Sequence, residues 1–262
     1  MYNGGVYTDV GAAFFDLART IMQGTVRAGT HELTNVLFGL PAGTGNWLLR
    51  SVVPQNLKYI KAELTWYFYG DQSASYIGAY AAKWRELAPF GIHSNYGRYI
   101  FRDDYVKGGQ FYPVYKLLKT NPGTRQAVMY ITPPDVVNAR PATMDFPCTV
   151  ALQYLMVDSM LDLTVMMRSN DLYYGLRNDI AFFMILQEMM AAALGVKMGY
   201  YWHYATSLHI YHKDAAKFRS PGTLNSEIVP AVNRSDVFSI ANHEYLRESP
   251  FQQWLHGFKG DI

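Results

Sequence analysis

The chain has 262 residues, half of them apolar and 17% charged, with 23 lysines and arginines against 21 aspartates and glutamates. This composition excludes a disordered linker, and a net charge of +2 gives no electrostatic footprint for nucleic acid or an anionic membrane surface. The single cysteine, Cys148, cannot form an internal disulfide or a cysteine-rich zinc site, so we expect a reducing cytoplasm and no metal. Pro and Gly are scattered as turns, which favours one domain over residues 1–262.

The first clear element along the chain is a helix. Apolar residues recur at helical spacing in residues 56–69, and Gly70 should end this helix. Further on, residues 149–157 and 161–167 alternate between apolar and polar side chains. The two segments flank Asp158-Ser159, and this pattern predicts a β-hairpin.

A second helix and a strand follow the hairpin. The longest apolar stretch predicts a core helix over residues 180–194, with Asn178 or Asp179 as its N-cap and Gly195 as its stop. An aromatic-rich strand over 200–211 comes next. Strands and helices mix without a regular βαβ rhythm, which predicts an α+β domain with a mixed sheet.

The hairpin register gives Cys148 a chemical context. It places the thiol across from Ser169 and beside Arg168, whose guanidinium would favour the thiolate and make it a nucleophile. A buried, inert cysteine is an equally good interpretation of these residues alone. Arg168-Ser169 suits a phosphate, although an arginine at a strand end is more often a surface ion-pair partner.

Three other side chains leave two interpretations open. Glu63 lies beside Leu64 and Trp66 in the first helix, where it is either a proton-transfer group or a surface charge. His209 and Tyr211 share one strand face and either hold a ligand sugar or fill the core. Neither a P-loop nor a dinucleotide, zincin or nucleophile-elbow motif is present in the sequence.

Several short runs, taken together, resemble the thymidylate synthase superfamily in order and spacing between about residues 27 and 214. They are Arg27–Thr30, Glu63–Trp66, Gly70-Asp71, Asn95–Gly97, Thr124-Arg125, Pro147-Cys148, Met167–Asp171, Gly175, Asn178–Ile180 and Ser207–Tyr211. Within the superfamily, Ser94–Gly97, Cys148-Thr149 and Arg177–Asp179 are most similar to the bacteriophage deoxycytidylate hydroxymethylases.

The resemblance implies a thymidylate synthase-like sheet, one face of which forms a homodimer interface, and a folate-dependent one-carbon transfer. Cys148 would add to pyrimidine C6, C5 would accept the one-carbon unit of 5,10-methylenetetrahydrofolate, and water would complete a 5-hydroxymethyl group. Site roles carried over with the resemblance are catalysis by Cys148, Glu63, Tyr96 and Asp179; substrate binding by Arg27, Arg168, Ser169, Asn170, Asp179, His209 and Tyr211, joined by Arg125 from the partner subunit; and folate binding by Asp171, Trp84 and Gly175.

Asp179 bears on the choice of base. Thymidylate synthases have asparagine here, which matches the N3–H and O4 of uracil, whereas a protonated carboxyl matches the N3 and 4-amino group of cytosine. A mismatched polar edge in a buried site costs on the order of 10⁴ in discrimination. The sequence therefore predicts dCMP as the substrate.

Alternatives remain at this stage. They are a dUMP or CMP hydroxymethylase, a methyl-transferring enzyme, and an idle homologue that binds nucleotide or RNA. In addition, Gln126 stands where the family usually has a second arginine, and residues 215–262 match nothing in the family. The resemblance implies a phage enzyme in the host cytoplasm, with neither nucleic acid nor membrane as a direct partner.

Overall fold

The computed structural model describes residues 3–43, 56–102, 109–132 and 145–218. Among the helices of these segments, none is long and apolar enough to cross a membrane. Residues 219–262, which contain most of the unmatched C-terminal sequence, lie outside the described part.

The described chain divides into two compact units. The sheet unit consists of residues 3–43 and 152–218, and the helical unit of residues 56–102, 109–132 and 145–151. One domain over 1–262 stays a prediction.

The sheet unit is built around a mixed sheet. Its strands are β1 (Asn3–Val6), β2 (Thr25–Arg27), β3 (Thr30–Pro41), β5 (Thr149–Val157, which begins in the helical unit), β6 (Met160–Met167), β7 (Asn170–Asp171) and β8 (Lys197–Tyr211). The strand order is β1-β3-β8-β6-β5, with β2 paired to β3 and β7 to β8. Pairing is antiparallel for β3 with β8 and parallel for β6 and β7 with β8. The predicted α+β class with a mixed sheet is confirmed.

Helices α1 (Val10–Ile21), α6 (Leu176–Leu194) and α7 (His212–Ala215) belong to the same unit. The apolar stretch predicted as a core helix lies in α6, and Gly195 ends it at a positive φ of 71°. The predicted start was wrong. The helix begins at Leu176 after Gly175, so Asn178 and Asp179 lie in its first turn rather than capping it.

Gln187 is one of two adjacent polar residues that interrupt the apolar stretch of α6, and it is fully buried. Its amide nitrogen donates to the carbonyls of Leu161 on β6 (2.8 Å) and Tyr200 on β8 (3.1 Å). The β6–β8 register shifts between Leu161 and Leu163. The amide therefore pairs carbonyls beside an irregularity of the sheet, where a buried unpaired carbonyl would be costly.

The hairpin between β5 and β6 is confirmed. Asp158 and Ser159 form its turn with φ values of 48° and 63°. Two successive positive φ angles are what a two-residue turn needs to match the twist of the strands. Asp158 is among the residues preferred at the first position, whereas Ser159 occupies a position at which glycine is preferred.

The helical unit contains α2 (Leu57–Tyr69), α3 (Lys83–Leu87), α4 (Tyr96–Phe101), α5 (Phe111–Thr120) and β4 (Val128–Tyr130). The first predicted helix is confirmed as α2. The Asn56 side chain accepts from the N–H of Tyr59, and Gly70 ends the helix at a φ of 61°. α4 approaches α2 closely because Gly97 has no side chain: a Cβ there would collide with the carbonyl of Tyr67.

Candidate active site

Strand β8 carries two pairs of polar side chains. Tyr201 and His203 are two residues apart and share one face of the strand, and His209 and Tyr211 likewise share one. The buried positions change from odd to even numbers after Ala205, so the two pairs lie on different faces. Tyr201 and His203 are fully buried, whereas His209 is half-buried and Tyr211 is exposed. The alternation predicted for His209 and Tyr211 is confirmed, and their rings meet edge to face at 5.2 Å.

His209 lies among the predicted phosphate and folate ligands. Its Nδ1 is 3.4 Å from the hydroxyl of Ser169, and Asp171 is its register partner on β7. Burial lowers the pKa of His209, and the carboxylates of Asp171 and Glu32 oppose that effect. The sheet unit thus brings an imidazole, a hydroxyl and carboxylates together at one end of β8.

Arg27 reaches the same end of the sheet from β2. Its Nε lies 3.3 Å from Oε2 of Glu32, whose side chain is 5% exposed while that of Arg27 is 68% exposed. Glu32 stands opposite His209 in the β3–β8 register. Sequence reasoning missed Glu32, because a single acidic residue in a strand carries no signal of its burial.

Asp179 is a half-buried carboxyl in the first turn of α6. Its Oδ2 accepts a 2.7 Å hydrogen bond from the amide nitrogen of Asn170, on β7. Burial raises the pKa of Asp179 to about 7; the bond from Asn170 lowers it and the charge of Asp171 raises it. Near neutral pH the carboxyl can therefore donate a hydrogen bond as well as accept one.

Gly175 allows this arrangement. A Cβ at this position would lie 3.0 Å from Nδ2 of Asn170 and 3.1 Å from Oδ2 of Asp179. The glycine thus lies against the Asn170–Asp179 hydrogen bond.

Asp171 forms a local turn. Its Oδ1 accepts from the backbone N–H groups of Tyr173 (2.7 Å) and Tyr174 (2.9 Å). Burial raises its pKa, although those backbone bonds and His209 act in the opposite direction. Within the described segments Oδ2 accepts no hydrogen bond, so this oxygen can receive an N–H donor from a ligand.

In the helical unit, Glu63 and Trp84 are joined through a tyrosine. The indole N–H of Trp84 donates to the hydroxyl of Tyr59 (3.0 Å), which donates to Oε1 of Glu63 (2.7 Å). Glu63 is buried, so the surface-charge interpretation is wrong. Tyr59 was missed, although its position four residues before Glu63 on a helix is a usable signal.

Tyr96 is buried at the start of α4. Asn95 before it caps that helix and donates to the carbonyls of Trp66 and Asp71, at the end of α2. The ring of Tyr96 stacks on Tyr67 with centroids 5.4 Å apart. These contacts leave the tyrosine little freedom to move.

Asp145 connects this region to the segment that leads into Cys148. Its carboxylate accepts from the N–H groups of His93 and Ser94 (2.8 Å each) and from the Ser94 hydroxyl (2.6 Å). Three residues later, Cys148 is half-buried at a bend before β5. The predicted neighbourhood of Cys148 and Arg168 spans the two units and stays a prediction.

Arg125 and Gln126 lie in the helical unit, between α5 and β4, and both are exposed. Within the described residues, no group of three or more His, Cys, Asp or Glu side chains could hold a metal ion.

Comparison with known proteins places these observations in a family. The thymidylate synthase family model matches residues 46–236. The chain belongs to the thymidylate synthase family. The match ends beyond residue 214, so the family covers part of the C-terminal segment in which the sequence alone offered no match.

Two of the similar proteins are phage enzymes. The chain is 34% identical over 164 residues to a deoxyuridylate hydroxymethyltransferase of Bacillus phage SP01, covering 58% of this chain and 43% of that protein. It is 31% identical over 170 residues to the deoxycytidylate 5-hydroxymethyltransferase of Enterobacteria phage T4, covering 60% and 68%. The chain thus spans less than half of the first relative and about two thirds of the second. Both names describe transferases of one-carbon groups.

Replacing Tyr59 with phenylalanine should destabilise the protein. The change removes the donor to Glu63 and the acceptor for Trp84 in a half-buried site, and we expect a loss of about 1–3 kcal/mol in the free energy of unfolding. Urea denaturation measures this change in the free energy of unfolding. Tyr130→Phe is the control because Tyr130 is exposed; equal losses in the two variants would contradict the prediction.

Asp179→Asn should stabilise the protein increasingly as the pH rises. Because the pKa of Asp179 is raised from 3.8 to about 7 on folding, the folded state holds the proton more tightly, and stability is lost as pH climbs through this window. The variant lacks this loss, so its advantage should reach on the order of 4 kcal/mol above pH 7.

Urea unfolding at pH 5 and pH 8 tests this prediction. Asp158→Asn is the matched control, because the Asp158 carboxyl is exposed and meets water in both the folded and the unfolded chain. A difference between Asp179→Asn and the wild type that does not change with pH would contradict it.

Proposed function

We propose that this protein catalyses folate-dependent 5-hydroxymethylation of a pyrimidine deoxynucleoside monophosphate, with dCMP as the substrate. The observation that carries the proposal is the half-buried carboxyl of Asp179, whose pKa of about 7 gives it a donor and an acceptor oxygen. The T4 relative, named for action on deoxycytidylate, supports the same substrate.

Base recognition follows from hydrogen-bond complementarity. The neutral Asp179 carboxyl donates to N3 of cytosine and accepts from its 4-amino group. Uracil presents the opposite pattern, N3–H and O4. With the carboxyl hydrogen in this position, N3–H meets a donor and O4 meets an acceptor. In a buried site that mismatch reduces kcat/KM by factors of 10²–10⁴.

Covalent activation of the ring is the role of Cys148. Its thiolate forms a bond to C6, and the electron pair of the C5–C6 double bond makes C5 a carbon nucleophile. C5 gains its new carbon and loses its proton, with tetrahydrofolate as the leaving group, and an exocyclic methylene remains on the nucleotide. Water then adds to this methylene. Departure of the Cys148 sulfur restores the double bond. Methylenetetrahydrofolate, when bound, supplies the one-carbon unit.

Proton movement around the base is assigned to the helical unit. Glu63, oriented by the hydroxyl of Tyr59, holds the ordered water that relays protons to and from the ring. Tyr96, fixed by Asn95 and by its stacking on Tyr67, stands near C5 and Cys148. Each group has a defined hydrogen-bonded or stacked support, as a catalytic site requires.

Phosphate and sugar binding is assigned to the sheet unit. Arg27, Arg168 and Ser169 hold the phosphate, and His209 with Tyr211 holds the 3′-hydroxyl. The pairing of Arg27 with buried Glu32 keeps its guanidinium at this end of the sheet. A bidentate guanidinium contact is the favoured way to bind a phosphate group.

The folate is assigned to Asp171 and Trp84, with Gly175 close by. The residues fit such a group: Oδ2 of Asp171 accepts nothing from the described chain and suits the N–H groups of a pterin, and the indole of Trp84 offers an aromatic face. Gly175 keeps the start of α6 compact beside Asp171, whose carbonyl accepts its N–H.

A homodimer completes the proposal. Leu37, Tyr200 and Trp202 lie on the sheet face opposite His203, and the first two are 38% and 40% exposed. Exposed large apolar side chains on a sheet face suit a second copy of the chain. Exposed Arg125 then reaches the phosphate of the partner's site.

A second candidate is the same chemistry on dUMP, since the SP01 relative is named for deoxyuridylate and is 34% identical. The product masses after separate incubation with dCMP and dUMP, each with methylenetetrahydrofolate, distinguish the candidates and also separate a hydroxymethyl from a methyl product. We expect hydroxymethyl-dCMP from the wild type, and a shift to dUMP by a factor of about 10²–10⁴ in Asp179→Asn. Cys148→Ser should be inactive with both nucleotides. Product from dUMP alone in the wild type would contradict dCMP as the substrate.

Mixing two inactive variants tests the shared site. In Cys148→Ser the nucleophile is lost, and in Arg125→Glu the phosphate ligand is lost. If Arg125 acts on the partner's site, subunit exchange produces hybrids with one complete site, and activity should reappear on mixing. Cys148→Ser mixed with itself is the control. No recovery, despite hybrids detected by native mass spectrometry, would contradict the shared site.

A further inference from the structure

A buried chain of hydrogen bonds lies behind Asp179. Asn170 donates from Nδ2 to Oδ2 of Asp179 (2.7 Å), and Oδ1 of the same amide is 3.1 Å from Nε2 of His203. Nδ1 of His203 is 2.9 Å from the hydroxyl of Tyr201. All four residues belong to the sheet unit. Asn170, His203 and Tyr201 are 2% exposed or less, and Asp179 is half-buried.

The donor and acceptor of each hydrogen bond in this series follow from the bond at Tyr201, the residue farthest from Asp179. Tyr201 is fully buried, and within the described segments its hydroxyl has no hydrogen-bond partner other than Nδ1 of His203. If His203 donated from Nδ1, the hydroxyl hydrogen of Tyr201 would be buried without an acceptor, which is costly. Tyr201 therefore donates to Nδ1.

Each later bond is then determined. A neutral imidazole that accepts at Nδ1 carries its hydrogen on Nε2, and Nε2 donates to Oδ1 of Asn170. The amide can then present only its nitrogen to Asp179, so Oδ2 is the acceptor. If every hydrogen bond of the series ran in the opposite direction, the Asp179 carboxyl would donate its hydrogen to Asn170 and have none left for a ligand.

His203 stays neutral in this position. Burial lowers its pKa to about 3, so the ring carries one hydrogen across the neutral pH range. Phe38, its register partner on β3, stacks on the ring with centroids 5.2 Å apart and planes at 25°. A flip of the ring would put carbon atoms in the places of Nδ1 and Nε2 and break both hydrogen bonds, so the ring orientation is determined.

We propose that Tyr201 and His203 are positioning residues for base selection: acting through Asn170, they hold Oδ2 of Asp179 as an acceptor, so that the hydrogen of the neutral carboxyl lies on Oδ1. This inference rests on the proposed function. A carboxyl with a fixed donor oxygen and a fixed acceptor oxygen matches the N3 and 4-amino edge of cytosine in one orientation of the base. A carboxyl whose hydrogen exchanges between its oxygens would lose part of that preference.

Tyr201→Phe tests the inference, because it removes one hydroxyl and leaves the ring. We expect the ratio of kcat/KM for dCMP to that for dUMP to fall about tenfold, through the dCMP value. Tyr154→Phe is the matched control: Tyr154 is also fully buried, and its hydroxyl bonds the carbonyl of Leu186 (3.5 Å), away from the chain. Equal ratios in the two variants, or equal losses for both nucleotides, would overturn the inference.

A measurement that needs no substrate separates this inference from the proposed function. Nitrogen-15 NMR of labelled histidine reports which ring nitrogen of His203 carries hydrogen, with His203→Gln used for assignment. We expect hydrogen on Nε2 in the wild type and a mixture in Tyr201→Phe. Hydrogen on Nδ1 in the wild type would overturn the direction of the chain. A wild type with this tautomer that hydroxymethylates only dUMP would overturn the link to cytosine together with the proposed substrate.

Discussion

The pairing of β8 on both of its edges is the constraint on which the sheet unit depends. β3 pairs with it from Thr30 to Pro41 in one unbroken register, while β6 and then β7 occupy the other edge. A shift of one residue would turn every side chain of β8 to the opposite face of the sheet. Interactions made by neighbouring strands therefore determine the direction of His203 and His209 alike.

Burial of Asp179 is the main energetic cost of this arrangement. A carboxyl that loses part of its hydration prefers its neutral form, and only one described hydrogen bond, from Asn170, opposes that preference. A protein selected for stability alone would place an apolar residue at such a position. Its retention is understandable if the site must offer a polar edge to a ligand, and the polar chain behind it gives that edge a direction.

Local patterns predicted a large part of the fold. The hairpin around Asp158 and the helix stop at Gly195 follow from alternation and turn chemistry, which act between near neighbours. The predicted start of α6 was wrong because Asp is a residue type that often caps helices. In the folded chain, contacts with β7 instead hold Asp179 within the first turn. Asp145 could not be found, since its partners come from a distant segment that only the folded chain brings near. The burial of Glu32 opposite His209 likewise depends on the pairing of β3 with β8. Family motifs supplied the site residues that spacing alone left ambiguous.

Gln187 has a mechanical consequence for the site. Its amide bonds two carbonyls of neighbouring strands from inside the core, so α6 can neither slide along its axis nor rotate without leaving both unpaired. Apolar packing would permit such adjustments at little cost, because dispersion contacts are not directional. Asp179 is a little more than two turns away on the same helix. A single buried amide thus fixes the position of α6 on the sheet. The direction of the Asp179 carboxyl therefore depends on a residue that lies two turns away from it.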